Sequence, residues 1–78
     1  MRLTVFTTNM CHACHEAMDY LRGRNYQFAE VDIRSAESML RVRTGGKRPT
    51  APTLYDSDSG RLVVGFQPDM YDRFLDGR

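Results

Sequence analysis

The sequence predicts a mixed α/β fold: a four-stranded mixed sheet with three flanking helices, in the chain order β-α-β-α-β-β-α. Three observations carry this reading. Apolar residues form an extended run near the start, recur at helical spacing after Cys11, and return in a second extended run over residues 26–33. That is a strand–helix–strand unit, whose crossover should be right-handed. A turn-rich stretch, residues 56–60, separates two more short apolar runs and marks a hairpin. Pro68 then opens a last helical pattern.

Each element has its own local reason. Leu3, Val5 and Phe6, with Thr4 and Thr7, open the chain as a strand. Thr7, Thr8, Asn9 and Met10 form a polar turn with one exposed methionine. From Cys11 on, Cys14, Ala17, Met18 and Leu21 share a helix face, and Gly23 stops the helix. Phe28, Val31 and Ile33 supply the apolar weight of a second strand over residues 26–33. Ser35 is expected to cap a second helix in which Ala36, Met39, Leu40 and Arg43 share a face, ended by Gly45 and Gly46. Residues 47–52 are a loop, and residues 53–55 and 61–66 are the hairpin strands. The last helix should turn Met70, Tyr71, Phe74 and Leu75 inward. Helices then cover both sheet faces. With no repeat, linker or low-complexity segment, residues 1–78 read as a single domain.

Composition narrows the classes. A chain of 78 residues with 41% hydrophobic content is long enough for one modest core. The formal charge of +1 gives no field that would draw nucleic acid or a membrane, and neither is expected as a partner. No apolar run approaches a membrane span, and the opening residues are too short and polar for a signal peptide. A monomer in the reducing cytoplasm is therefore expected. There, a cysteine pair is more often catalytic or metal-binding than structural.

The chemistry concentrates at Cys11-His12-Ala13-Cys14, which holds the only two cysteines. Side chains at i and i+3 of a first helical turn lie within disulfide reach. So short a loop restrains the unfolded chain little, so the bridge is a poor staple. A helix start favours an anionic sulfur, which makes Cys11 the expected nucleophile and Cys14 the resolving thiol. His12, when protonated, would favour the same anion. The electrons reside on the sulfurs, so no separate cofactor is expected.

Other readings of these residues weigh less. Cys11, His12, Cys14 and His15 cannot all face one tetrahedral ion from adjacent positions, so no metal site is assigned, although a metal or iron–sulfur binding module stays as an alternative. Cys-x-x-Cys-His also matches a haem attachment pattern, but one that goes with exported helical cytochromes. The Asp56–Gly60 run, residues 56–60, lacks the closing Glu of a calcium loop. Arg34, Arg41, Arg43, Lys47 and Arg48 form a basic side, read either as a solvated face or as a dock for an acidic partner.

At this point the chain resembles a glutaredoxin-sized member of the thioredoxin superfamily. The residues that carry the likeness are the CxxC after the first strand, Thr50-Ala51-Pro52 before the third, and Gly65-Phe66 before the last helix. The resemblance implies a thioredoxin fold with Pro52 in the cis form beside the redox pair. Ala51 would then present its backbone to an extended substrate, with Gly65, Phe66 and Met10 on the rim. Asn9, Cys14-His15 and Gly65-Phe66-Gln67-Pro68-Asp69-Met70 are similar to NrdH-redoxins, although His12-Ala13 departs from that branch. Membership there implies thioredoxin reductase as electron donor and ribonucleotide reductase as client. The alternative is a glutathione-dependent glutaredoxin acting on other disulfide proteins. Thr8 replaces the basic residue, and Phe66-Gln67 the glycine-rich segment, with which ordinary glutaredoxins grip glutathione.

Overall fold

The structure is a computed structural model that describes residues 1–76; residues 77 and 78, the last two of the expected domain, lie outside the described residues. The elements are β1 (Leu3–Thr7), α1 (His12–Gly23), β2 (Phe28–Asp32), a 3₁₀ turn (Ile33–Ala36), α2 (Glu37–Arg43), β3 (Thr53–Asp56), β4 (Leu62–Val64) and α3 (Pro68–Leu75). The sheet order is β2-β1-β3-β4. β1 pairs parallel with β2 and antiparallel with β3, and β3 pairs antiparallel with β4. The expected order and the mixed four-stranded sheet are both present.

Two layers of side chains hold the sheet. Alternation along a strand sends successive residues to opposite faces. Leu3 and Val5 of β1 and Leu54 of β3 meet Cys14, Ala17, Met18 and Leu21 of α1 and Tyr71, Phe74 and Leu75 of α3. Phe6 and Tyr55, on the opposite face, meet Leu40 of α2. β1 and β3 are central strands covered on both sides, so all four residues of β3 are buried. Each fully buried aliphatic side chain here contributes about 1.5–3 kcal/mol relative to exposure.

Four local expectations change. Ser35 does not cap α2: its hydroxyl donates to the Asp32 carbonyl at 2.8 Å. Asp32 caps the 3₁₀ turn instead, accepting from the Arg34 amide at 2.9 Å and from the Arg34 guanidinium at 2.7 Å. The Arg34 side chain, then its amide, holds the Asp32 carboxyl down at about 2. An ionised acceptor fixed by its own guanidinium partner wins this cap over a neutral hydroxyl. Secondly, β2 begins at Phe28, because Asn25 in a left-handed conformation (φ 64°) ends α1, and the Tyr26 amide turns back to the Leu21 carbonyl. Thirdly, β4 stops at Val64, because Gly65 has φ 87°. Lastly, Met70 is exposed, since the inward stripe of α3 consists of Tyr71, Phe74 and Leu75. One residue before Tyr71 is about 100° round the helix.

Arg43 joins the second layer from the helix face that it shares with Leu40. Its guanidinium lies 5.4 Å from the centre of the Tyr55 ring, and Nη1 donates to the Gly60 carbonyl at 3.4 Å. Gly60 has φ 78°, and a Cβ there would sit 2.8 Å from Arg43 Nη1.

The hairpin is organised by Asp56, a buried carboxylate. It accepts from the Arg2 amide at 3.0 Å, the Ser59 hydroxyl at 2.8 Å and the Asp58 amide at 3.1 Å. Burial pushes its carboxyl up, but these three bonds and the nearby N-terminal ammonium outweigh it, and the net shift is downward. A folded pKa below the unfolded value gives stability that is present above roughly pH 4 and lost as the pH falls through the folded value. Asp56→Asn should lower Tm at neutral pH, and the gap to the parent should close as pH falls towards 3, as read by thermal melts across that range. A gap that stays constant with pH would show that the charge on Asp56 is not what stabilises the turn.

Candidate active site

The carboxyl end of β1 leads straight to the cysteine pair. Thr8, Asn9 and Met10 leave the sheet, and Met10 turns the chain with φ 54°. Cys11 is the N-cap of α1, in an extended conformation, and its sulfur accepts from the Cys14 amide at 3.1 Å. A cysteine sulfur therefore fills the place that a Ser or Asp oxygen fills in ordinary caps. Cys11 and Cys14 are joined in a disulfide, with Cα atoms 5.2 Å apart. Cys14 is only 2% exposed and faces the core, whereas Cys11 is half-buried at the surface. The two sulfurs thus differ in access: an incoming molecule meets Cys11 first.

The electrostatics favour negative charge on that outer sulfur. The first turn of α1 carries no acidic residue to oppose the positive end of the helix. His12 projects into solvent, with its side chain 90% exposed and Nε2 3.6 Å from Glu16 Oε1. The i,i+4 carboxylate holds the imidazole along the outer face of the helix.

A second segment meets the pair from β3. The register pairs Phe6 with Thr53, so the loop entering β3 lies beside the end of β1. The Ala51–Pro52 peptide bond is cis. Pro52 is fully buried, and Ala51 packs half-buried on the core cluster that Cys11 and Phe66 also border. The loop is pinned twice: the Thr53 hydroxyl donates to the Thr50 carbonyl at 2.8 Å, and the Gly65 amide to the Pro52 carbonyl at 2.7 Å. Among the described residues, no backbone hydrogen bond engages the N–H or C=O of Ala51.

Phe66 forms a third side. Its ring packs edge-on against Tyr71 at 5.0 Å and Tyr20 at 5.5 Å between centroids. Such pairs add roughly 0.5–1.5 kcal/mol beyond area burial. Tyr71 is fully buried, and its hydroxyl donates to the Gly65 carbonyl at 3.0 Å; burial raises its pKa. The Tyr20 hydroxyl donates to the Asp72 carboxylate, which Arg24 also meets at 3.1 Å. The supporting roles of Tyr20 and Tyr71 were not read from sequence. The available signal is a tyrosine on an inward helical face, which needs a partner for its hydroxyl.

The structure therefore gathers Cys11, Cys14, Ala51, Pro52, Gly65 and Phe66 at one end of the sheet. Met10 is adjacent in sequence but fully solvent-exposed. The glutaredoxin family model matches residues 3–59. The chain belongs to the glutaredoxin family. It is 31% identical over 74 residues to the glutaredoxin-like protein NrdH of Escherichia coli K12, covering 94% of this chain and 88% of the relative. The NrdH of Shigella flexneri aligns equally well. Among solved structures, the glutaredoxin-like NrdH-redoxin of Escherichia coli superposes with TM-score 0.70 over 94% of this chain and 93% of that one. A structural-genomics target from X. campestris is 27% identical, with TM-score 0.66 and 97% of both chains covered. With this glutaredoxin family membership and its CxxC pair, the protein is a thiol–disulfide oxidoreductase of thioredoxin fold.

Proposed function

We propose that this glutaredoxin-like protein is a dithiol electron carrier of the NrdH-redoxin kind. The observation that carries the proposal is the inequality of the two sulfurs: Cys11 caps a helix at the surface while Cys14 is buried one turn along. In the reduced protein, the Cys11 thiolate attacks one sulfur of a client disulfide. The Cys11–client bond forms, the client S–S bond breaks, and the first client sulfur leaves as a thiolate that takes up a proton. Cys14, losing its own proton, then attacks Cys11 Sγ and expels the second client thiol. Two electrons pass to the client, and the Cys11–Cys14 disulfide remains. A donor of two electrons and two protons restores the dithiol.

The neighbours have distinct parts in this cycle. The free N–H and C=O of Ala51, held in place by buried Pro52, accept an extended client segment as an added strand. Gly65, Phe66 and Met10 supply a mostly apolar rim suited to protein clients. His12, when protonated, favours the Cys11 anion. No cofactor besides the cysteine pair takes part, and no metal is assigned a role. The client is ribonucleotide reductase and the donor thioredoxin reductase, with the protein acting as a monomer in the cytoplasm. The likeness to NrdH and the thioredoxin-like activity profile named for its Escherichia coli relative support this choice over a glutathione-driven cycle. Among the described residues, no helix is long and apolar enough to cross a membrane.

A coupled assay separates the donors. With NADPH and an insulin-type protein disulfide, thioredoxin reductase should sustain turnover, and glutathione with glutathione reductase should not. Turnover supported by glutathione alone would replace this reading with a glutathione-dependent glutaredoxin.

A further inference from the structure

Neither the backbone nor the core accounts for a methionine at position 10. Met10 has a left-handed conformation, φ 54°, which glycine or asparagine adopts at lower cost. Its side chain is fully exposed and packs on neither core cluster. What is particular to Met10 is its place: it directly precedes Cys11, the sulfur that an incoming molecule meets first. A flexible, polarisable thioether there is spent on whatever docks from outside.

The other thioethers are less accessible. Met18 is 3% exposed in the core, and Met39 packs half-buried on the cluster around Leu40. Met70, 40% exposed, lines the outer edge of β4 with Val63 and Phe74. Met1, 56% exposed, precedes the opposite end of β1, with its ammonium 3.5 Å from Asp58. A thioether is oxidised according to how freely an oxidant reaches its sulfur. While Cys11 and Cys14 are joined in the disulfide, Met10 is therefore the first sulfur that a peroxide meets.

We propose that Met10 is a modification site for hydrogen peroxide, and that its oxidation weakens docking of the protein client. The inference rests on the place of Met10 on the client-facing rim proposed above. One oxygen of hydrogen peroxide passes to the thioether: the O–O bond breaks, an S–O bond forms, the sulfur gives up two electrons, and the other oxygen leaves as water. The product is a sulfoxide, a strong hydrogen-bond acceptor where an apolar, adaptable side chain stood. A client closing on Cys11 must then desolvate that oxygen without a matching donor. The cysteine pair itself is unaltered, so the change acts on docking and leaves thiol–disulfide exchange alone.

The test treats the disulfide form with hydrogen peroxide, removes the excess with catalase, locates the added oxygen by peptide mass spectrometry, and restores the dithiol with dithiothreitol. Single-turnover reduction of insulin then reads client docking. No enzymatic donor takes part, so the result stands apart from the choice between thioredoxin reductase and glutathione. Met10 should gain oxygen ahead of Met1 and Met70. The second-order rate constant on insulin should fall about three- to tenfold, the scale of partly burying one methionine side chain. Alkylation of Cys11 by iodoacetamide should keep the rate of the untreated protein. Methionine sulfoxide reductases should restore the insulin rate. In Met10→Leu, peroxide should leave the variant's own untreated rate unchanged, whereas Met70→Leu should show the parent's fall. Oxidation of Met10 with no loss on insulin, a fall that persists in Met10→Leu, or an equal fall in alkylation overturns the proposal. So does oxidation of Met70 ahead of Met10. Failure of the untreated dithiol to reduce insulin would strike down the protein-client reading, and this proposal with it.

Discussion

Cys14→Ser should stop the cycle at its midpoint, with a covalent adduct between Cys11 and the client accumulating. The reasoning follows from burial. Cys11 is the sulfur an incoming disulfide can reach, so its attack survives the substitution. The second step needs a thiolate one helical turn along, and a serine hydroxyl is far too weak an acid and nucleophile to expel the client thiol. Non-reducing gels and intact mass should find the adduct, and turnover in the coupled assay should be lost. Cys11→Ser should lose turnover too, but with no adduct, because Cys14 at 2% exposure cannot meet the client. The asymmetry between the two variants is the diagnostic. An adduct forming through Cys14 in Cys11→Ser, or undiminished turnover by Cys14→Ser, would reverse or dissolve the assignment of roles.

Tyr71 should be the residue through which stability and the site are most strongly coupled. It is fully buried between the sheet, Tyr20 and Phe66, and its hydroxyl satisfies the carbonyl of Gly65. Tyr71→Ala would open an aromatic-sized cavity at a cost of about 3–5 kcal/mol. Tyr71→Phe keeps the volume but leaves the Gly65 carbonyl short of a donor, at about 1–3 kcal/mol. Gly65 also donates to Pro52, so loosening it should relax the cis-proline loop on its other side. Tyr71→Phe should therefore raise KM for a protein disulfide while leaving the reactivity of Cys11 toward a small alkylating agent near the parent value. Denaturant melts give the stability change. An unchanged KM together with the full stability loss would confine Tyr71 to the core.

Much of the molecule can be read from residue order. The spacing of Cys14, Ala17, Met18 and Leu21 announces α1 and its buried face, because a single amphipathic helix writes its own periodicity. Gly60 and Gly65 mark turns where φ is positive, a local requirement. The CxxC pair at the head of a helix is equally local. Less legible were the features set by competition between neighbours. Ser35 looked like a cap until Asp32, backed by Arg34, took the position. Met70 looked inward because apolar residues crowd the last helix, but the phase of α3 turns only Tyr71, Phe74 and Leu75 to the sheet. Arg43 is read both on the Leu40 face of its helix and on the basic side, and it keeps to both, exposed yet lying over Tyr55.

Sequence alone determined the order of elements, the cysteine pair and its place at a helix start, since each depends on residues a few positions apart. Tertiary structure decided how the segment at Ala51 and Pro52 comes to lie beside the end of β1. It also decided that Tyr71 of α3 and Phe66, just before that helix, brace the rim, and that Arg48 meets Glu37 only at 3.9 Å. Those outcomes depend on strand register and on which side chains from distant positions fill the same space or claim the same charge, and chain proximity does not encode either.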